Sequence, residues 1–436
     1  MSATPATAIP GVPPSRALFT HKGENGQSLL VWAVIAASHF IAQVIFRREL
    51  APGEFGTLNT ALGVIGLMAV PVFAVNQAFL HYGLRPQLAG TEEKRASFRA
   101  ASLMATETFA WVWGALSLLL ILLFLPLLDM PRFSLQLFIL INVLVALGGG
   151  VSWAVSRHTA QLRLWMWLLV AAAVARVGLA WGISAQAPWA EAGLGAILLA
   201  GFILLTPVLR QGSADWIPRL KACQSILDRD FLVSAAATIA VMLGIYLFTN
   251  ADRIVSQSWF GVATNNNLGL VNWDEFDAYQ TAGLLARSLL WGTQPLLWIL
   301  FAQRVGLNKT HAASLVFFWI YLGALLLGVV MISLLSRPLS QLFCGASFAS
   351  TAGLVPSLTS AMIPLGLLQA LGVFALASRR HHECFVLAGC SVGYALLLYL
   401  AGRQPHLMPA YMFGGGLVSS MVVLFVGVVR WGRRQP

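Results

Sequence analysis

Phe248-Thr249-Asn250-Ala251-Asp252-Arg253 closes an apolar run that begins near Phe231 and leads on to Trp259-Phe260-Gly261. It sets a carboxylate beside a guanidinium where hydrocarbon is expected. Ionisable groups inside a membrane span are costly and mark function by default. At helical spacing Thr249, Asp252, Arg253 and Ser256 share one face. Such a face points into protein or a water-filled cavity, not at lipid. A plainer reading has Arg253 reaching for the headgroups with Asp252 as its pair.

The run is one of many. The 436 residues are 58% hydrophobic and 10% charged, with a mean hydropathy of +0.77. A soluble domain carries about 25% charged residues. Apolar runs of spanning length cover residues 28–46, 57–82, 101–128, 133–155, 164–185, 189–209, 231–258, 276–302, 311–335, 353–377, 384–401 and 408–429. The expected fold is therefore an all-α polytopic membrane protein of about twelve transmembrane helices. Residues 1–27 lack an apolar core and read as a disordered cytoplasmic tail. Residues 28–209 and 231–436 read as two six-helix bundles, with 210–230 as a cytoplasmic linker.

The net charge of +11 does not indicate nucleic acid, because the basic residues are scattered over short loops between apolar runs. With the amino terminus inside, 19 of the 27 Lys and Arg fall on the cytoplasmic side and 6 outside, leaving Arg176 and Arg287 within spans. That bias places both termini in the cytoplasm of a cell (inner) membrane protein. An even number of spans per half makes the halves parallel repeats. Cys223, Cys344, Cys384 and Cys390 show neither metal-ligand nor disulfide spacing, and neither a metal nor a cofactor is expected.

A short internal echo agrees with two halves. Glu54-Phe55-Gly56-Thr57-Leu58-Asn59-Thr60-Ala61 follows Arg47 and Arg48, and Glu275-Phe276-Asp277-Ala278-Tyr279-Gln280-Thr281-Ala282 follows Arg253. Glu, Phe, Thr and Ala match in place, and Asn59 faces Gln280. The second copy carries an insert over 262–274.

Polar residues cluster on the matching helices. His39, Gln43 and Arg47 form a stripe four residues apart. Gln280, Arg287 and Gln294 recur every seven residues. With Asn59, Asp252 and Arg253 they are expected to line one central cationic cavity. Each has a plainer reading. His39 would be a helix-contact residue rather than a proton carrier, and Arg47 an interfacial anchor. Arg287 lies too deep for easy snorkelling, which favours the cavity. Arg176 is also deep, and a structural partner is as good a reading for it as function. Gly148-Gly149-Gly150 and Gly414-Gly415-Gly416 suit close packing or bending.

Twelve spans in two parallel halves, with Arg47-Arg48-Glu49-Leu50-Ala51-Pro52-Gly53-Glu54-Phe55-Gly56 after the first and Asn250-Ala251-Asp252-Arg253 in the seventh, resemble the polysaccharide and oligosaccharide flippases. These belong to the multidrug/oligosaccharidyl-lipid/polysaccharide (MOP) exporter superfamily. The resemblance runs over about 29–429. It implies a V-shaped pair of bundles that moves a polyprenyl-pyrophosphate-linked glycan to the outer leaflet by alternating access, with H+ or Na+ as the coupling ion. Arg47, Arg253 and Arg287 would then hold the anionic head, helped by Gln43, Asn59, Gln280 and Gln294. Asp252 and His39 would be the coupling candidates. The implied partners are the lipid-linked glycan, the bilayer and glycan biosynthesis proteins. A multidrug antiporter of the same superfamily is the nearest alternative, although it would want an acidic cavity. A glycan polymerase or ligase fits less well, because the expected outer loops are short, and no enzyme motif such as a P-loop, HExxH or CxxC occurs.

The orientation makes a direct prediction. A cysteine placed at Gln211 should resist an impermeant thiol reagent added to intact cells, and one at Asn266 should react. Strong labelling at Gln211 would reverse the topology.

Overall fold

Each of the twelve apolar runs is helical over most of its length, because a backbone at membrane depth finds no water and must bond to itself. A computed structural model describes residues 22–83, 92–124, 132–158, 162–211, 229–265, 273–306, 311–345, 348–401 and 407–432. Within them the helices are α1 (Lys22–Glu49), α2 (Glu54–Gly83), α3 (Glu92–Phe124), α4 (Phe133–His158), α5 (Leu162–Ser184), α6 (Ala190–Phe202), α7 (Thr206–Gln211), α8 (Arg229–Asn265), α9 (Trp273–Gly306), α10 (His311–Leu334), α11 (Ser336–Cys344), α12 (Phe348–Ala377), α13 (His381–Ala401) and α14 (Met408–Gly432). A single 3-10 turn, Ile203–Leu205, joins α6 to α7. No strand occurs among the described residues. Residues 22–27, expected in the tail, belong to α1. The rest of that tail, 212–228 of the linker and 266–272 of the insert lie outside the described residues.

Nine helices are long and apolar enough to cross a membrane among the described residues. A tenth span arises if α10 and α11, bent by 64° at Leu335, are taken together. Large apolar side chains such as Trp111, Leu122, Trp319, Leu327 and Phe425 point outward, as lipid requires. Many polar residues of the spans are turned inward, and Asn59, Asn76, Asp252, Gln280 and Arg287 are fully buried.

The helices pair in a repeated pattern. Helix α1 packs on α5, α2 on α3 and α4, α4 on α3 and α6, and α5 on α6. In the second set α8 packs on α13, α9 on α10 and α12, α12 on α10 and α14, and α13 on α14. The eight-residue echo thus extends to the architecture of the two sets. Glycine runs serve close packing. A Cβ on Gly150 would come within 2.7 Å of Val72, and one on Gly416 within 3.0 Å of Leu365.

The two sets meet unevenly. Helices α2 and α8 run antiparallel along a long seam, from Gly63 against Ile254, through Gly66 against Tyr246, to Phe79 stacked on Phe231 at 4.5 Å. From residue 63 to 79 that is about 24 Å of helix. The pseudo-equivalent pair, α1 and α9, touches lightly, through His39 and Trp291 at 5.3 Å. Helix α11 adds to that side, where Phe343 meets Phe40 and Arg48 Nε donates to the Leu342 carbonyl at 2.8 Å.

The seam depends on the missing side chain at Gly66. A Cβ there would collide with the Tyr246 hydroxyl, which donates to the Gly63 carbonyl at 2.9 Å. Gly66→Val should therefore lower the melting temperature in detergent, at a cost of about 1–3 kcal/mol typical of overpacking. Gly292→Ala, with nothing within 4 Å of its Cβ, should leave it unchanged. Equal melting of the two variants would show that the seam is not tightly packed.

Candidate functional site

The turn after α1 is set by Ala51-Pro52-Gly53-Glu54. Gly53 has φ 82° and the Glu54 N–H donates to the Ala51 carbonyl at 3.0 Å, which is a type II turn with Pro and Gly in their preferred places. It presents the first N–H groups of α2 to the other set of helices. Asp277 of α9 accepts from Gly53 N–H at 3.0 Å and from Gly56 N–H at 2.7 Å, a carboxylate on a helix N-terminus. Arg47 Nη1 lies 3.4 Å from the same carboxylate. Glu54 in turn accepts from the Ala190 N–H that starts α6 and from Arg132 at 2.7 Å. Arg132 also pairs with Glu191 at 3.2 Å.

Deeper, the polar groups form a layer between α2, α8, α9 and α13. Arg287 Nη1 lies 2.8 Å from Asp252 Oδ2, with side chains 1% and 0% exposed. The Tyr279 hydroxyl donates to the same oxygen at 3.1 Å. Arg253, 5% exposed, donates through Nη2 to Asn59 Oδ1 at 3.0 Å. Gln280 Nε2 donates to the Arg253 carbonyl at 3.1 Å and to Ser256 Oγ at 2.8 Å. Arg253 has no carboxylate within 4 Å among the described residues. Asp252 Oδ1, Arg253 Nε, Arg287 Nε and Nη2, Gln280 Oε1 and Gln43 Oε1 are buried without a hydrogen-bond partner.

The plainer reading of Asp252 and Arg253 does not hold, and the stripe on α1 divides. Asp252 pairs with Arg287 rather than with its neighbour Arg253, because successive residues on a helix point about 100° apart. Arg253 is buried against Asn59 and does not reach for the helix end. The stripe His39, Gln43, Arg47 does not act as one surface: Arg47 goes to Asp277, Gln43 is 1% exposed, and Arg176 Nη1 lies 3.2 Å from His39 Nδ1. These polar residues pack on one another, and Asn59, Asp252, Gln280 and Arg287 are fully buried. A cavity of about 590 Å³ lies elsewhere, lined by Arg132, Ser134, Phe138, Trp189 and Glu191 among others. Gln294 is in α9, but its side chain lies outside the described residues.

Sequence reasoning missed Asp277, which reads as one of three acids in a loop and is fully buried. Its place in the echo, opposite Gly56, was the available signal. Tyr279 and the buried Tyr394, whose hydroxyl lacks a partner, gave none.

The fold identifies its neighbours. An inward-facing multidrug resistance MATE family transporter of the MOP superfamily superposes with a TM-score of 0.58 over 91% of this chain and 94% of its own, at 12% identity. A Vibrio cholerae MATE transporter gives 0.55 over 93% and 95%, at 14% identity. This chain has the MATE transporter fold. A MOP superfamily transporter from Pyrococcus furiosus gives 0.50 over 92% and 95%, at 13% identity. No protein-family model matches the sequence, and no curated protein does.

The ion pair predicts a specific rescue. Asp252→Asn alone should strand Arg287 and cost about 3–5 kcal/mol, as broken buried pairs do. Membrane abundance should fall. Asp252→Asn with Arg287→Gln should recover most of it, and Asp252→Asn with Arg253→Gln should not. Rescue by the Arg253 change instead would exchange the two partners.

Proposed function

We propose that the protein is a MOP-type flippase for an anionic, lipid-linked glycan, with the layer around Arg253 and Arg287 receiving the anionic head. One observation carries this. The buried layer holds two guanidiniums against one carboxylate, and Arg253 Nε and Arg287 Nε and Nη2 keep unused donors. An unmatched guanidinium at membrane depth is costly unless an anion or water compensates it. A guanidinium also matches phosphate oxygens through paired hydrogen bonds. The fold supports transport by alternating access, since its neighbours include MATE transporters in inward-facing and outward-facing conformations.

A multidrug reading is the alternative, because several neighbours are described as multidrug resistance transporters. It would need Asp252 for an organic cation, and Arg287 already neutralises that carboxylate through Oδ2. The Pyrococcus furiosus neighbour is described as having a binding pocket of reverse polarity that suggests a different function. The sign of the pocket therefore differs within this fold.

Arg253→Ala tests the proposal. Losing a charge-assisted contact of about 1.5–3 kcal/mol should cut glycan export roughly ten- to a hundredfold, with membrane abundance near normal. A deletion strain should accumulate lipid-linked oligosaccharide on the cytoplasmic face. If the deletion instead sensitises cells to cationic drugs and glycan export is intact, the multidrug reading replaces this one.

A further inference from the structure

Arg176 is a partly buried cation within a span that the layer just described does not use. It lies in α5, eight residues or about 12 Å of helix before the end at Ser184. No carboxylate lies within 4 Å of it among the described residues. Its contact is neutral: Nη1 lies 3.2 Å from His39 Nδ1. A guanidinium can only donate, so Nδ1 must accept, and the imidazole is uncharged with its proton on Nε2. The same ring packs edge-on against Trp291 of α9 at 5.3 Å. Arg176 Nε is buried with no partner, as are Gln43 Oε1, one turn along α1 from His39, and Ser184 Oγ, two turns along α5 from Arg176.

Two features set this group apart. Arg47 and Arg287 each have a carboxylate, so their charge is already met within the protein. Arg176 has none among the described residues, and it contacts His39, whose ring packs on Trp291 of α9. An unmatched charge there is costly unless water or an anionic ligand compensates it.

We propose that Arg176, oriented by neutral His39, is a second anion subsite on the α1–α9 side, taking a phosphate-type group. The proposal rests on the flippase reading above and adds to it a binding group in the first set of helices, with Gln43 beside it. Substrate would then be held from both sets at once, by Arg253 from α8 and Arg176 from α5. His39 is a positioning residue in this scheme.

The test uses detergent-purified full-length protein. Binding of inorganic pyrophosphate and of geranyl pyrophosphate is measured for wild type, R176Q, R176K and R253A, together with ligand-free melting temperatures. R176Q keeps a donor for His39 but loses the charge. It should bind at least about tenfold more weakly, the scale of one charge-assisted contact, and melt no lower than wild type. A response to geranyl pyrophosphate alone assigns the subsite to a lipid-linked group, and a response to both assigns it to pyrophosphate itself. If R176Q binds as wild type while R253A is impaired, Arg176 is not a subsite and the flippase reading stands. If wild type binds neither probe, the reading fails and the subsite with it. Should R176Q melt lower, R176K decides: it keeps the charge and the His39 contact. Its affinity must then fall while its melting temperature holds, and wild-type affinity would make Arg176 structural.

Discussion

The structure turns on keeping charge out of hydrocarbon. Asp252 and Arg287 are both essentially fully buried and 2.8 Å apart, in helices whose outer faces are apolar. Neither group could sit at that depth alone, since an isolated ion there costs several kcal/mol even after relaxation. The pair therefore fixes how α8 and α9 face each other. Tyr279 and the backbone of α8 complete the arrangement, and Asn59 draws α2 onto Arg253 from the opposite set. The layer is part of the interface between the two helix sets, and the proposed function places anion recognition there.

That interface is lopsided. Glycines at 63 and 66 let α2 lie against α8 over most of its length, while α1 and α9 meet through single side chains. At the Glu54 end three contacts tie the sets together. Asp277 caps α2, Arg47 joins Asp277, and Arg48 meets the carbonyl near the end of α11. The adjacent arginines of one helix end thus reach two different elements of the other set. Alternating access, as proposed, requires that such ties be undone on one face.

Much of this was legible beforehand. The spans were visible because lipid demands about twenty apolar residues per crossing. The echo of Glu54–Ala61 in Glu275–Ala282 lies on α2 and α9, which pack on corresponding neighbours in their two sets. That Asp252, Arg253 and Arg287 turn into the protein was also readable, because ionisable groups in apolar spans avoid lipid. Their pairing was not. Spacing along a helix says which side chains share a face, but Asp252 and Arg287 are 35 residues apart on different helices.

The sequence by itself determined the class of fold, the course of the helices and most of the buried charges, Asp277 excepted, because each follows from the local cost of putting polar groups in hydrocarbon. Only the tertiary structure decided which of those charges neutralise one another. It gave Arg287 to Asp252 and Arg47 to Asp277, turned Asp277 inward as a helix cap, and left Arg176 facing a neutral histidine. Those choices depend on the rotation and depth of separate helices. They are set by packing between helices distant in sequence, which no stretch of sequence carries alone.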